Sequence, residues 1–98
     1  MTHILLQIKF KPEDEGGRAK LPLKGPWCPH LVTASEGELL GVRIFDIPAD
    51  ARPGVPVEVL AELLYEGVSY DILAEGAEVE VQEGPKVVAT GIVIAGAG

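Results

Sequence analysis

The chain has 98 residues, 47% of them hydrophobic, and a formal net charge of −7. Its length suits one domain with a single modest core, and its hydrophobic content excludes a disordered protein. A lone cysteine excludes an internal disulfide, and no apolar stretch is long enough to span a membrane. The first residues show no signal-peptide pattern, so we expect a cytoplasmic protein.

Alternation of apolar and polar residues predicts the first strand, His3–Phe10. Its apolar face consists of Ile4, Leu6, Ile8 and Phe10. Lys11–Arg18 follows as a loop, because its two adjacent glycines permit positive φ angles and Pro12 cannot donate to a strand ladder. Further prolines keep the chain irregular up to a short strand near Leu31–Ala34.

Two strands are predicted on either side of a proline-rich connection. Glu38–Phe45 reads as a strand with three branched apolar residues on one side. Asp46–Pro56 contains three prolines and one glycine and therefore forms a connection with turns. Val57–Tyr65 begins with alternation, although its later part, Val59–Tyr65, is rich in residues that favour a helix. We expect a strand, since valines favour strands and Pro and Gly bound the segment.

The C-terminal part predicts a hairpin. Tyr70–Gly76 reads as a loop, and Ala77–Gln82 alternates, with valines on the inner side and glutamates on the outer side. Glu83–Lys86 forms a tight turn that leads into the last strand, Val87–Ile94. The tail, residues 95–98, has nothing to bury and should fray.

About six short strands separated by Gly and Pro turns predict an all-β fold, an antiparallel barrel or a sandwich. The single barrel domain would comprise residues 1–94. Side chains fill the interior of a barrel of this size, so we expect no ligand cavity inside it. The expected core includes Ile4, Ile8, Val42, Val57, Val59, Val79 and Val81.

Two blocks of sequence resemble one known family. The first is Phe10–Gly25, which contains Asp-Glu-Gly-Gly-Arg at Asp14–Arg18 and then Lys-Gly at Lys24. The second is Gln82–Val93, which begins Gln-Glu-Gly-Pro-Lys. Both are similar to segments of the third, C-terminal domain of translation elongation factor Tu, in the same order and at like separation. The resemblance implies a six-stranded antiparallel β-barrel of that type, here as a stand-alone domain.

In that family the domain helps to hold the T stem of aminoacyl-tRNA and packs on a GTPase domain. Arg18 matches the arginine of the family's first loop, and Glu83 and Gly84 match the Glu-Gly turn of its last hairpin. The resemblance therefore implies that these three residues bind RNA. An arginine can donate two parallel hydrogen bonds to a phosphate, and a glycine lets two backbones approach each other.

The sequence also departs from the family's pattern. Pro85 replaces the second glycine of the hairpin and removes an N–H donor, and Glu36 replaces a threonine. Trp27–His30 replaces a Tyr-Arg-Pro-Gln stretch, so an arginine is lost. The segment Tyr65–Glu75 adds acidic residues. No Gly-rich phosphate loop with Lys-Ser/Thr is present, which excludes nucleotide hydrolysis by that route.

The charge is unevenly distributed along the chain. Residues 1–30 carry five basic against three acidic side chains, a net charge of +2, whereas residues 31–98 carry three against twelve, a net charge of −9. Phosphate contacts need Lys and Arg, and only the N-terminal third offers several. We therefore expect tRNA binding to be weak.

No catalytic constellation is recognisable. Cys28 and His30 would share a side of an extended chain, but only His3 remains as a further histidine, and metal sites need three or four ligands. We therefore expect no enzyme activity, metal or cofactor. The thiol of Cys28 is expected to be partly buried beside Trp27. The glutamate pairs Glu58 with Glu62 and Glu78 with Glu80 are expected on a solvated strand face.

Trp27 and Lys24 are the candidate partner-binding residues. Trp27 would anchor a partner if exposed, and would cap one barrel end if buried; both alternatives stay open. In the last strand both faces are largely apolar, so one face would remain exposed outside the barrel and favour self-association or a protein partner. The sequence thus predicts a non-enzymatic protein-interaction module, with a reduced tRNA-stem-binding module as the alternative and a small enzyme third.

Overall fold

A computed structural model describes residues 3–17, 27–33, 39–64 and 73–96. Its strands are β1 (His3–Phe10), β2 (His30–Thr33), β3 (Leu40–Phe45), β4 (Val57–Leu63), β5 (Glu78–Glu83) and β6 (Lys86–Ala95). They pair in the order β1-β4-β3-β2-β5-β6, every neighbouring pair is antiparallel, and β6 returns to β1 to close a barrel. The predicted all-β fold, a six-stranded antiparallel barrel, is confirmed. The described residues contain no helix long and apolar enough to cross a membrane.

The core fills the inside of the barrel, as period-two alternation requires. The alternate apolar residues of β1 are each at most 1% exposed, and the inward valines of β5, Val79 and Val81, are also buried. Two details differ from the predicted core. Val57, the first residue of β4, is only half-buried, although it packs against the core, and Leu73, in the predicted loop before β5, is fully buried.

Segment Val57–Leu63 is a strand, as expected, despite its helix-favouring residues. It lies between two partners, with Val59 opposite Leu6 of β1 and Ala61 opposite both Ile4 of β1 and Ile44 of β3. A segment paired on both sides buries its alternate residues, and that burial outweighs helix propensities of only tenths of a kcal/mol per residue.

Strand β6 departs from the strict alternation that the sequence predicts. Ala89 pairs with Val81 and Val87 pairs with Gln82, so Val88 is an extra residue on β6, a β-bulge. Val88 and Ala89 are consequently both buried, whereas alternation had placed them on opposite faces. A bulge bends its strand and increases the local twist, which helps β6 to curve between β5 and β1.

The seam between β6 and β1 closes the barrel and depends on Gly91. This residue pairs with Ile8 of β1 and with Val79 of β5. A Cβ atom at Gly91 would lie 2.6 Å from the carbonyl oxygen of Gln7 and 2.9 Å from Cγ2 of Ile8. Only a glycine allows the two backbones this approach.

Replacing Gly91 by alanine should therefore destabilise the barrel. Because the obstructing atom is backbone, β1 and β6 must separate, and we expect a loss of about 1–3 kcal/mol in the free energy of unfolding, as for other overpacked sites. Urea unfolding followed by circular dichroism measures it. The control is Thr90→Ala at the neighbouring exposed position, which should change stability by about 0.5 kcal/mol or less. Equal midpoints for the two variants would contradict this account of the seam.

Candidate functional site

Trp27 lies at one end of the barrel and is buried, with 7% of its surface exposed. Its backbone pairs with Ile44 of β3: the Trp27 N–H donates to the Ile44 carbonyl at 3.2 Å, and the Ile44 N–H donates back at 2.7 Å. Further along, the Val42 N–H donates to the carbonyl of Pro29 at 3.2 Å. Trp27–Pro29 therefore runs beside β3 ahead of β2. Of the two alternatives for Trp27, the structure shows the buried cap and not an exposed anchor.

The Trp27 side chain joins three parts of this end. Its ring packs on Phe10, the last residue of β1, with centroids 5.7 Å apart and planes tilted by 32°. Its indole Nε1–H donates to Oε2 of Glu83 at 2.9 Å. Glu83 ends β5 and continues the inward face of Val79 and Val81, so its half-buried carboxylate accepts a hydrogen bond at the mouth of the barrel. A buried indole N–H needs such an acceptor.

The hairpin between β5 and β6 has a two-residue loop, Gly84 and Pro85, closed by the pair Glu83 and Lys86. Gly84 has a φ of 58°, whereas a proline is fixed near −65°. Positive φ at the first central position alone is the signature of a type II′ turn. Pro85 is therefore compatible with this type II′ turn, whereas a glycine at the same position would also allow a type I′ turn.

The loop after β1 is held tightly at the same end. The Lys11 N–H donates to the carbonyl of Val88 in β6 at 2.9 Å, and the Gly17 N–H donates to Pro12 at 2.9 Å. A Cβ atom at Gly17 would overlap the carbonyl of Lys11, so the loop requires glycine there. The structure thus brings this loop, Trp27 and the Glu83-Gly84 turn together, while the two candidate cations Arg18 and Lys24 lie outside the described residues.

The described charges at this end are mainly acidic. The 3-10 turn Glu13–Glu15 carries three exposed carboxylates, and Glu83 adds a fourth. Lys11 and Lys86 lie beside them, and Arg52 lies on the connection whose Gly54 N–H donates to the Phe10 carbonyl. A phosphate backbone would meet more negative than positive charge on these residues.

The possible catalytic pair is also placed by the structure. Cys28 is exposed, so the expected partly buried thiol is wrong: the residues on either side of it point inward and the thiol points out. His30 is half-buried and, by alternation, lies on the same outer side. Within the described ranges no group of three or more His, Cys, Asp or Glu side chains is arranged to hold a metal ion.

A groove of about 510 Å³ lies on the outer wall of the barrel, across β1, β6 and β5. Cross-strand register defines it: Ile92 of β6 lies between Gln7 of β1 and Glu78 of β5. One row along, Thr90 of β6 lies between Lys9 and Glu80. Ile92 is 41% exposed. We call this feature, with Pro56 at its margin, the wall groove.

An apolar row adjoins the wall groove on the outer surface. Phe45 of β3 lies opposite Leu60 of β4, Leu60 lies opposite Leu5 of β1, and Leu5 lies opposite Ala95 of β6. The three larger side chains are half-buried and Ala95 is exposed. From the sequence, an exposed apolar surface was predicted only for the last strand. The row crosses four strands, so it can be recognised only when the cross-strand register is known.

Beyond this row lies an ion pair. Nη1 of Arg43 is 3.2 Å from Oε1 of Glu62, and the two residues are cross-strand neighbours. The Glu62 side chain is only 6% exposed, against 47% for Arg43, and the ring of His3 meets Phe45 edge-on at 5.7 Å. Glu62 was expected on a solvated strand face, and this prediction is wrong. Glu58, which was expected on the same face, is exposed.

Comparison with known proteins adds no relative. No protein-family model matches the chain, and no curated protein matches it. The resemblance to the third domain of elongation factor Tu therefore rests on the quoted residues.

Removal of the Glu83 carboxylate should loosen the Trp27 cap. Glu83→Ala leaves a buried indole N–H without this acceptor, and we expect a loss of about 1–3 kcal/mol in the free energy of unfolding. Glu83→Gln keeps an oxygen in place and should lose less. Trp27 is the only tryptophan, so its fluorescence reports the same site. The emission should shift to longer wavelength in Glu83→Ala and change least in a control, Glu80→Ala. Unchanged emission and stability in Glu83→Ala would refute the cap.

Proposed function

We propose that this chain is a barrel of the elongation factor Tu C-terminal-domain type that acts as a non-enzymatic protein-interaction module. The observation that carries the proposal is the wall groove, in which the exposed Ile92 lies between polar walls. Apolar side chains fill the barrel interior, so a partner must bind on its outside. An apolar centre with a polar rim is the arrangement that protein interfaces use.

The apolar row beside the groove supports the same function. Single exposed hydrophobic side chains are normal on a protein surface, whereas a contiguous apolar patch marks an interaction site. Ile92 adjoins the row formed by Phe45, Leu60, Leu5 and Ala95 through its neighbours on β1 and β6. The groove and the row together extend across five strands of the outer surface, β3, β4, β1, β6 and β5.

A protein partner is favoured over RNA by the charges of the same residues. Among the described residues that line the groove, Lys9 is the one cation, and Glu78 and Glu80 face it from the opposite wall. The alternative, a reduced tRNA-stem contact through Arg18 and the Glu83-Gly84 turn, has weaker support, since the Glu83 carboxylate accepts the Trp27 indole N–H.

A cross-linking experiment tests the protein-binding function. A photo-reactive phenylalanine analogue is introduced at position 92 in the groove and, as a control, at Asp50, an exposed residue of the connection between β3 and β4. In the cells that express the gene, irradiation should give a discrete protein adduct at position 92 and none at position 50. The cross-linked partner is either another protein or a second copy of the chain. Identical patterns at both positions, or no adduct at position 92, would contradict the proposal.

The RNA alternative has its own test. We expect labelled aminoacyl-tRNA to bind weakly at low salt and not measurably at physiological salt, because two or three phosphate contacts contribute little through counterion release. Any residual binding should fall in Arg18→Ala, equally across tRNA species, since phosphate contacts do not read sequence. Tight binding at physiological salt that Arg18→Ala abolishes would make the RNA-binding function the better one.

A further inference from the structure

The walls of the wall groove differ in charge. Glu78 and Glu80 lie on the outer face of β5 and are both exposed, whereas the β1 wall offers Gln7 and Lys9. Two residues apart along a strand, the carboxylates are about 6.6 Å apart along the chain direction, since a strand rises about 3.3 Å per residue. The groove therefore presents two negative charges on its β5 wall, separated by the spacing of two residues along a strand.

The spacing of the two carboxylates fits an extended backbone. The walls of the groove stand on β1 and β5, with β6 between them, so the two wall strands are about 9.6 Å apart at about 4.8 Å per strand spacing. The alternate side chains of an extended chain repeat with the period of the two carboxylates.

The apolar contacts lie along the same path. Ile92 is exposed between Gln7 and Glu78, and Pro56 lines the groove with the exposed Val55 just before it in sequence. A segment whose basic side chains reach the β5 wall can place an apolar side chain on this surface. Lys9 on the opposite wall disfavours a second basic row.

We propose that the wall groove binds an extended protein segment with basic residues at alternate positions and apolar residues between them. The inference deepens the proposed protein-binding function and rests on it. Glu78 and Glu80 pair with the two basic side chains, and Ile92 contacts the apolar residue between them. Charge complementarity selects this segment over acidic ones.

The probe is a capped hexapeptide of alternating lysine and leucine, titrated into the full chain labelled with ¹⁵N. Chemical-shift changes should concentrate on the amides of the groove-lining parts of β1, β5 and β6. Replacing both wall carboxylates, with Glu78→Gln and Glu80→Gln together, should weaken binding about tenfold at low salt, the scale of two exposed ion pairs. The matched control removes the same charge at a distance, with Glu13→Gln and Glu15→Gln, and should leave the affinity within about twofold.

Two further peptides separate the contributions of charge and apolar contact. A glutamate-leucine hexapeptide should not bind measurably, and a lysine-serine hexapeptide should bind more weakly than the lysine-leucine probe. Equal binding of the glutamate-leucine peptide, equal weakening by the control variant, or shifts confined to another face would overturn the proposal. A protein captured at position 92 through a segment without basic residues would also overturn it, yet would leave the protein-binding function standing.

Discussion

The close approach of β6 to β1 at Gly91 is the constraint on which the rest of this structure depends. It lets the last strand meet the first, so that each of the six described strands has a neighbour on both sides. Closure also encloses the apolar face of each strand. The stability of so small a domain depends on that burial, because the chain has one cysteine and can form no internal disulfide.

Closure also creates the outer surface that we assign to binding. β1 and β6 are at opposite ends of the chain order and become neighbours only when the barrel closes. The wall groove spans this junction, with Gln7 on one side of Ile92 and Glu78 on the other. The bulge at Val88 turns one more side chain into the core, while Thr90 and Ile92 stay on the outer face. The fold and the candidate interaction surface therefore have the same origin.

Period-two alternation was sufficient to predict the strands and most of the core, because it depends only on which residues avoid water. It left a barrel and a sandwich open, and the family resemblance implied the barrel. Alternation failed at Val88, where a bulge changes the face, and such a bulge depends on strand pairing that a local pattern does not contain. The burial of Trp27 stayed open since its acceptor, Glu83, is 56 positions away. Burial of Glu62 beside Arg43 and the apolar row from Phe45 to Ala95 likewise need the cross-strand register.

The most direct test is a set of nuclear Overhauser contacts across the closing seam in the full chain. In a closed barrel we expect interstrand contacts between the backbone protons of Ile8 and Gly91 and between those of Leu6 and Val93, together with contacts between Gly91 and Val79. Contacts from β6 to β5 without any from β6 to β1 would mean an open sheet. In that case the wall groove would not exist, and the proposed binding surface would be contradicted with it.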